Sequence, residues 1–448
     1  MINTNKLLYN RINVNSAELV YLNKILENNE KGLSENYQLI KKLPQHIFHA
    51  IWSTPESYLW SKITWDLVHS DLNKSKFLKN YLEWVDDKDS NQIKNQLCKL
   101  GLFVISGNIL MENDVTLPNV IKVPKIGSLP ATGISWNSSE NFEILGLKNM
   151  RIQTKINENY FEFSIENQIN GNGENPFFFQ PKIDDSSLKI DIWSECSRMD
   201  FDGMEWINRL SRESDIDSFR ITLSKSLKHI KDYDKRIFGE LSILLSKIVP
   251  LEPISVAAPS SSNSTMLGLI FCTHIDDPLL LAEMLIHECS HNKLFLFQEI
   301  DTILDSSVHG DGWSNENYYS PWRSDPRPLN GILHGIYVFS EVIKFWNYII
   351  ESNGKKDFNH ISYKRFYLLV EQTRIALDIL KQNASFTNLG NAFINGIDKK
   401  IESYRTRYTK KDLKSTSAHF AELNHDPDLI GNNIIDAIKG HKRKWMNP

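Results

Sequence analysis

Residues 279–297 read LLLAEMLIHECSHNKLFLF, and the reading of the C-terminal half of the chain turns on this stretch. It follows Asp276, Asp277 and Pro278, a carboxylate cap with a proline at the first helical position, which is a strong helix start. Apolar residues recur on almost every side, so the pattern predicts a buried helix from about 278 to about 297. Into it are set His287, Glu288 and His291. Histidines four apart lie one turn apart on the same helix face and can grip one ion. Burying two imidazoles and a carboxylate in so apolar a helix is costly unless they are paired or bind a metal. The stretch therefore predicts a metal site with His287 and His291 as its first two ligands. In a metallopeptidase, Glu288 would be the general base that activates a metal-bound water. The plainer alternative is a pair of histidines in a polar groove.

Downstream, the third ligand has several candidates. Phe297 stands where a short-spaced third histidine would be needed. Glu316 and Glu341 are carboxylate candidates without convincing flanks, and His309 lies in a Gly-Asp-rich loop. His334 is the best placed, because it follows SPWRSDPRPLNGIL, a rigid charged segment leading into a helix. Within that segment Arg323 and Arg327 are informative. A bidentate cation suits the distal carboxylate of a 2-oxo acid cosubstrate, whereas a peptidase has no general need of one. Their structural alternative is a salt bridge through Asp325 or with the acidic 299–316 segment. His274 is a candidate substrate contact. Beyond His334 the chain reads as helical almost to its end, with HKRK at 441–444 as a solvated tail.

Upstream, helical periodicity runs from about 216 to 248 and stops before Pro250. The runs Ile254–Ala258 and MLGLIFCT, separated by PSSSNST, read as two strands of a hairpin. Between 101 and 195, LFVISGNILM, ISWNSSENFEIL, MRIQTKI and YFEFSIENQI read as a mainly antiparallel sheet, with a turn at 170–176. From about 16 to 99 the pattern is helical. Trp52, Trp60, Trp65 and Trp84 there fill a core or form a binding face. The expected fold class is α+β: a helical N-terminal region (1–100), a β-rich region that is a candidate for holding peptide substrate (101–200), and a mostly helical metal-binding catalytic domain with a small sheet (201–448).

Bulk properties narrow the partners. In 448 residues, 41% are hydrophobic and 24% charged, with a formal net charge of −4. That balance gives no electrostatic reason to expect nucleic acid or a membrane surface. The N-terminus lacks a signal-peptide run, and no stretch reaches the ~18 apolar residues of a spanning helix. Four cysteines without CxxC spacing in so long a chain suit a reduced, cytoplasmic protein.

Three blocks in order, STMLGLIFCT, LAEMLIHECSHNKL and WRSDPRPLNGILHGIYVF, resemble the 2-oxoglutarate-dependent, HExxH-type peptide β-hydroxylases. That family is associated with making ribosomally synthesised and post-translationally modified peptides. The blocks lie within 264–297 and 321–339, and the N-terminal 200 residues carry no part of the likeness. The resemblance implies an Fe(II) centre held by His287, His291 and, on the HG block, His334. It implies 2-oxoglutarate on the iron with Arg323 or Arg327 at the far carboxylate, and hydroxylation of a β-carbon in a precursor peptide. Hydroxylation needs no general base, so Glu288 would orient a ligand or hydrogen-bond a metal-bound water. More familiar sites of this kind use two histidines and a carboxylate, so a third histidine departs from that plan, and Glu341 or Asp325 is the alternative to His334. The other enzyme class compatible with the motif is a Zn(II) metallopeptidase with Glu288 as its base.

Overall fold

The structure, a computed structural model, describes residues 4–26, 31–69, 76–84, 92–123, 126–138, 141–156, 158–164, 176–181, 183, 186–198, 209–210, 212–253, 260–313, 317–323, 325–352 and 360–407. Contacts divide the chain into two compact units, Met1–His229 with Arg236–Ala282, and Ile230–Lys235 with Glu283–Pro448. The sequence segments 1–100 and 101–200 thus fall in one unit, and the helix bearing the histidine motif begins in the first unit and ends in the second.

The first unit opens with α1 (Thr4–Leu26), α2 (Lys31–Lys41), α3 (Gln45–Trp52), α4 (Pro55–His69), α5 (Lys76–Trp84), α6 (Gln92–Cys98) and α7 (Leu100–Leu110). Strands follow: β1 (Val115–Val123), β2 (Ile126–Ser128), β3 (Ile134–Asn137), β4 (Phe142–Lys148), β5 (Arg151–Ile156), β6 (Asn159–Ser164), β7 (Phe177–Phe179) and β8 (Lys189–Ile190). Then come α8 (Glu213–Tyr233) as far as His229, α9 (Lys235–Leu244) from Arg236, β9 (Lys247–Leu251), β10 (Ser260–Ser262), β11 (Leu269–Thr273) and the start of α10 (Pro278–Gln298). The fold class is α+β, with helices at both ends and sheets in the middle.

Two antiparallel sheets, ordered β1-β4-β5-β6 and β2-β3-β7, fill the β-rich region, and a small sheet is ordered β10-β11-β9-β8. In that small sheet β11 pairs antiparallel with β10 and parallel with β9. Three expectations are corrected here. LFVISGNILM is α7, not a strand. Its apolar run is buried on nearly all sides, and a short run of that kind has no periodicity to separate helix from strand. Gly107 lets the helix approach its neighbour, since a Cβ there would lie 2.7 Å from the Leu43 side chain. The helical stretch read to 248 ends at Leu244, and residues 247–251 are the fully buried strand β9, with Pro250 inside it. The antiparallel partner of β11 is 260–262, within the stretch read as a loop, while residues 254–258 lie outside those described.

The core joins helices and sheets through aromatic side chains. Trp52 lies 5.0 Å from Phe103 and 5.8 Å from Trp60, ring centre to ring centre, and Trp136 packs edge-on against Phe142 and Phe177. Trp52 and Trp60 are therefore core residues, while Trp65 is exposed and stacks on His69 at 4.1 Å.

One charged cluster is buried in this unit. Lys247 on β9 reaches Asp191 at 2.6 Å, contacts Glu56 on α4, and lies 3.3 Å from the Ser128 hydroxyl on β2. Asp191 also accepts from the backbone N–H groups of Trp193 and Ser194. Burial alone would push the Lys247 ammonium down, but Asp191 and Glu56 outweigh it and hold it above the usual lysine value.

In the second unit, α10 continues and is followed by α11 (Ser306–His309), α12 (Leu329–Ser352), α13 (His360–Asn383) and α14 (Asn388–Arg407). Glu283 on α10 takes Arg365 of α13 in a forked ion pair and the indole N–H of Trp346 from α12 at 2.7 Å, so one carboxylate ties three helices. Among the described residues no helix is long and apolar enough to cross a membrane. The HKRK segment lies outside the described residues.

Replacing Lys247 by Ala leaves two carboxylates buried without their cation. Urea denaturation is expected to show a loss of about 3–5 kcal/mol, the usual consequence of removing one partner from a buried pair.

Candidate metal centre

The expected helix forms as read. Asp277 caps it, accepting from the N–H groups of Leu279 (2.8 Å) and Leu280 (3.3 Å), and it ends at Gln298. All the residues described next belong to the second unit. His287 and His291 share a face, with ring centres 4.9 Å apart. The His334 ring, from the second turn of α12, lies 5.4 Å from that of His291. The structure thus brings together the three histidines expected from sequence. Glu288 is only 1% exposed, and its Oε1 lies 4.0 Å from His287 Nε2.

The surroundings are aromatic. Phe339 meets His287 edge-on at 4.9 Å, and Trp322 stacks on Phe339 at 4.9 Å. Trp322 comes so close to α12 that a Cβ at position 335 would stand 2.5 Å from its ring, which is why a glycine follows His334. Phe295 stacks on His291, and Trp313 lies 5.6 Å from His334. His287 keeps 21% of its side chain exposed.

A chain of side-chain hydrogen bonds runs behind the histidines. His291 Nδ1 and His334 Nδ1 are 3.1 Å apart, and His334 Nε2 is 2.8 Å from Gln298 Oε1. The Gln298 amide donates to Asn330 Oδ1 at 2.7 Å, and the Asn330 amide donates to the backbone carbonyl of Asp311 at 3.1 Å. Gln298 and Asn330 were not singled out from sequence. Each sits at helical spacing from a histidine, Gln298 seven residues after His291 and Asn330 four before His334, yet polar residues at such spacing are common on helices.

Of the remaining candidates, Arg323 and Arg327 share Asp325, at 2.8 and 3.3 Å, the structural alternative stated above. Arg327 is further pinned by paired backbone hydrogen bonds with Tyr318. Although burial works to raise the Asp325 carboxyl, its hydrogen bond to Arg323 and the two guanidinium charges hold it below the usual carboxylate range. Both arginines remain partly exposed, at 56% and 32%. Glu341 pairs with Lys344 one turn on, His309 accepts from the Ser385 N–H, and Glu316 lies outside the described residues. In the first unit, His274 packs edge-on against Phe219.

Burial holds the imidazoles neutral. His291 is lowered to about 4 by desolvation, and His334 falls well below the usual value through burial and the adjacent His291. His287 is likewise lowered well below it, by burial, by His291 and by the Arg365 charge. Neutral imidazole is the metal-binding form. Among the described residues no group of three or more His, Cys, Asp or Glu is arranged to hold a metal ion. The fit to a first-row divalent ion therefore rests on the donor chemistry of the His287–His291 pair. As placed, His334 directs one nitrogen to His291 and the other to Gln298.

Compared with known proteins, the chain matches no protein-family model and no curated sequence.

Unfolded histidines take up protons below about pH 6.5, whereas these rings resist protonation when folded, so acid favours the unfolded chain. Metal-free protein is expected to lose stability as pH falls from about 6.5 towards 4, His291 alone accounting for on the order of 3 kcal/mol by the lower end. Urea midpoints measured between pH 7 and 4.5 check this, and midpoints that stay level would contradict the burial of the rings.

Proposed function

We propose that the chain is an Fe(II)- and 2-oxoglutarate-dependent oxygenase that hydroxylates the β-carbon of a residue in a ribosomally made precursor peptide. The observation that carries the reading is the meeting of the HExxH helix with the HG block of α12. Two neutral imidazoles share one face, and the arginine-bearing segment is anchored to the same site through Trp322, Phe339 and His287.

His287 and His291 would hold the iron, which would supply oxidative chemistry that turns 2-oxoglutarate, oxygen and a C–H bond into succinate, carbon dioxide and an alcohol. The residues of the chain bind and orient. His287 and His291 present lone pairs that burial keeps unprotonated. Arg327, the less exposed of the two arginines and held by Tyr318, releases Asp325 to take the distal carboxylate of the cosubstrate. Phe339, Trp322 and Phe295 give the two imidazole rings apolar, aromatic surroundings. Glu288, buried beside His287, fixes the environment of that ring.

The same Glu288 placement favours one alternative, a zinc metallopeptidase, because a carboxylate 4.0 Å from His287 Nε2 is in range to act on a water held by that ring's metal.

Anaerobic addition of Fe(II) and 2-oxoglutarate is expected to produce a weak visible charge-transfer band that is lost in His291→Ala. Tight zinc retention without any such band would move the assignment to the peptidase. The Glu288→Gln variant then separates the two chemistries: a peptidase loses several powers of ten in rate when its base is removed, whereas an oxygenase retains measurable hydroxylation.

A further inference from the structure

We propose that the first unit carries a binding site for a small primary ammonium ion, in a cleft between α4, α7, β2 and β3 that joins an aromatic wall to the half-satisfied carboxylate of Glu56. Glu56, Leu59, Trp60 and Ile63 stand three and four residues apart on α4, so one face of that helix lines the cleft. Phe103 on α7 and Trp136 on β3 complete the apolar wall. The space is about 460 Å3 counting its open mouth, which is the size of a small-ligand site. Both indoles are set in place. Trp60 donates its Nε1–H to the Gln96 carbonyl at 2.9 Å and meets Phe103 edge-on at 6.4 Å. Trp136 lies so close to β2 that a Cβ at Gly127 would come 2.1 Å from its ring, and the glycine there makes the room.

The charged lining is Glu56, Lys99 and Glu195. Lys99 is satisfied: its Nζ lies 2.8 Å from Glu195 Oε1 and 2.7 Å from the Tyr81 hydroxyl, which donates to Glu195 Oε2 at 2.9 Å. Glu56 is not. Its side chain is only 11% exposed, and its Oε1 takes the Ser128 hydroxyl at 2.9 Å and the Lys247 ammonium. Lys247 is shared with Asp191, however, and Glu56 Oε2 is buried with no hydrogen-bond partner among the described residues. The lining groups and their ion-pair partners come to three carboxylates (Glu56, Asp191, Glu195) against two ammoniums (Lys99, Lys247). A buried carboxylate short of a donor and of a positive charge is costly, and an entering ammonium offsets both. The wall selects the kind of cation. A metal ion needs several oxygen ligands, which indole and phenyl rings do not offer. An organic ammonium is attracted by the ring faces and buries its carbon chain against Leu59 and Ile63. This site stands apart from the function proposed above and does not depend on it.

Isothermal titration calorimetry of the full-length, metal-free protein tests the site. The probes are ethylammonium and 2-phenylethylammonium, set against 2-phenylethanol, which keeps the ring without the charge, and 3-phenylpropionate, which reverses the charge. Saturable one-to-one binding of at least one ammonium is expected, with the alcohol about tenfold weaker or more and the carboxylate silent. Glu56→Gln keeps the side-chain shape, leaves Lys247 paired with Asp191 and brings the charges into balance. It is expected to weaken ammonium binding about 10-fold or more, the loss of one charge-assisted hydrogen bond. If that variant does not fold, the comparison of ammonium, alcohol and carboxylate on the unaltered protein still decides. No binding of either ammonium at millimolar concentration, equal binding of the alcohol, or unchanged affinity in Glu56→Gln overturns the proposal.

Discussion

A polar group inside a helix that is apolar on nearly every side must find its partner within the protein, and the second unit is built on that constraint. Helix α10 buries Glu283, Glu288 and part of His287 and His291 among leucines and phenylalanines. Water does not satisfy such a group, and for Glu283 the neighbouring helices do. Glu283 recruits Arg365 and Trp346 and so sets α10 against α12 and α13. One turn later the same helix offers His287 and then His291, and the turns that carry the ion pair also carry the candidate ligands. The Arg365 charge bears on His287 as well, helping to keep the ring in its neutral, ligating form.

Desolvation sorts the titratable groups of the site into two kinds. The imidazoles are held neutral, as lone-pair donors, by burial. Arg323 and Arg327 share one half-exposed carboxylate that is worth little as a surface pair. An exposed pair of that sort is inexpensive to break, which suits groups whose proposed partner is an arriving dicarboxylate. Lys247 in the first unit shows the opposite use of charge, an ammonium locked between two carboxylates where exchange would be costly.

The α10 helix was legible because its cap, its continuous apolar character and its four-residue histidine spacing are local properties. Strands β3 to β6 were legible for the same reason, as short β-branched and aromatic runs between turn residues. Helix α7 was not, since eleven nearly uninterrupted apolar residues present no face to a periodicity argument, and the packing of Gly107 against Leu43 is a tertiary fact. Strand β9 was absorbed into the preceding helix because Pro250 reads as a terminator, whereas β8 pairs only with Lys247 and Ile248, so Pro250 lies beyond the doubly paired part of the strand. The glycine after His334 was visible as a letter, but its reason lies in the Trp322 ring, thirteen residues earlier in the chain.

The sequence by itself determined that a capped, buried helix carries two histidines on one face, that the chain is α+β, and that a third histidine and two arginines follow in a rigid segment. Those are consequences of spacing and polarity over a few turns. Only the tertiary structure decided that His334 meets His291 through Nδ1, that Gln298 and Asn330 stand behind it, and that both arginines rest on Asp325. These pairings join residues 32 to 43 positions apart in the hydrogen-bond chain behind the histidines, and which nitrogen faces which oxygen is set by how two helices pack rather than by either helix's own sequence.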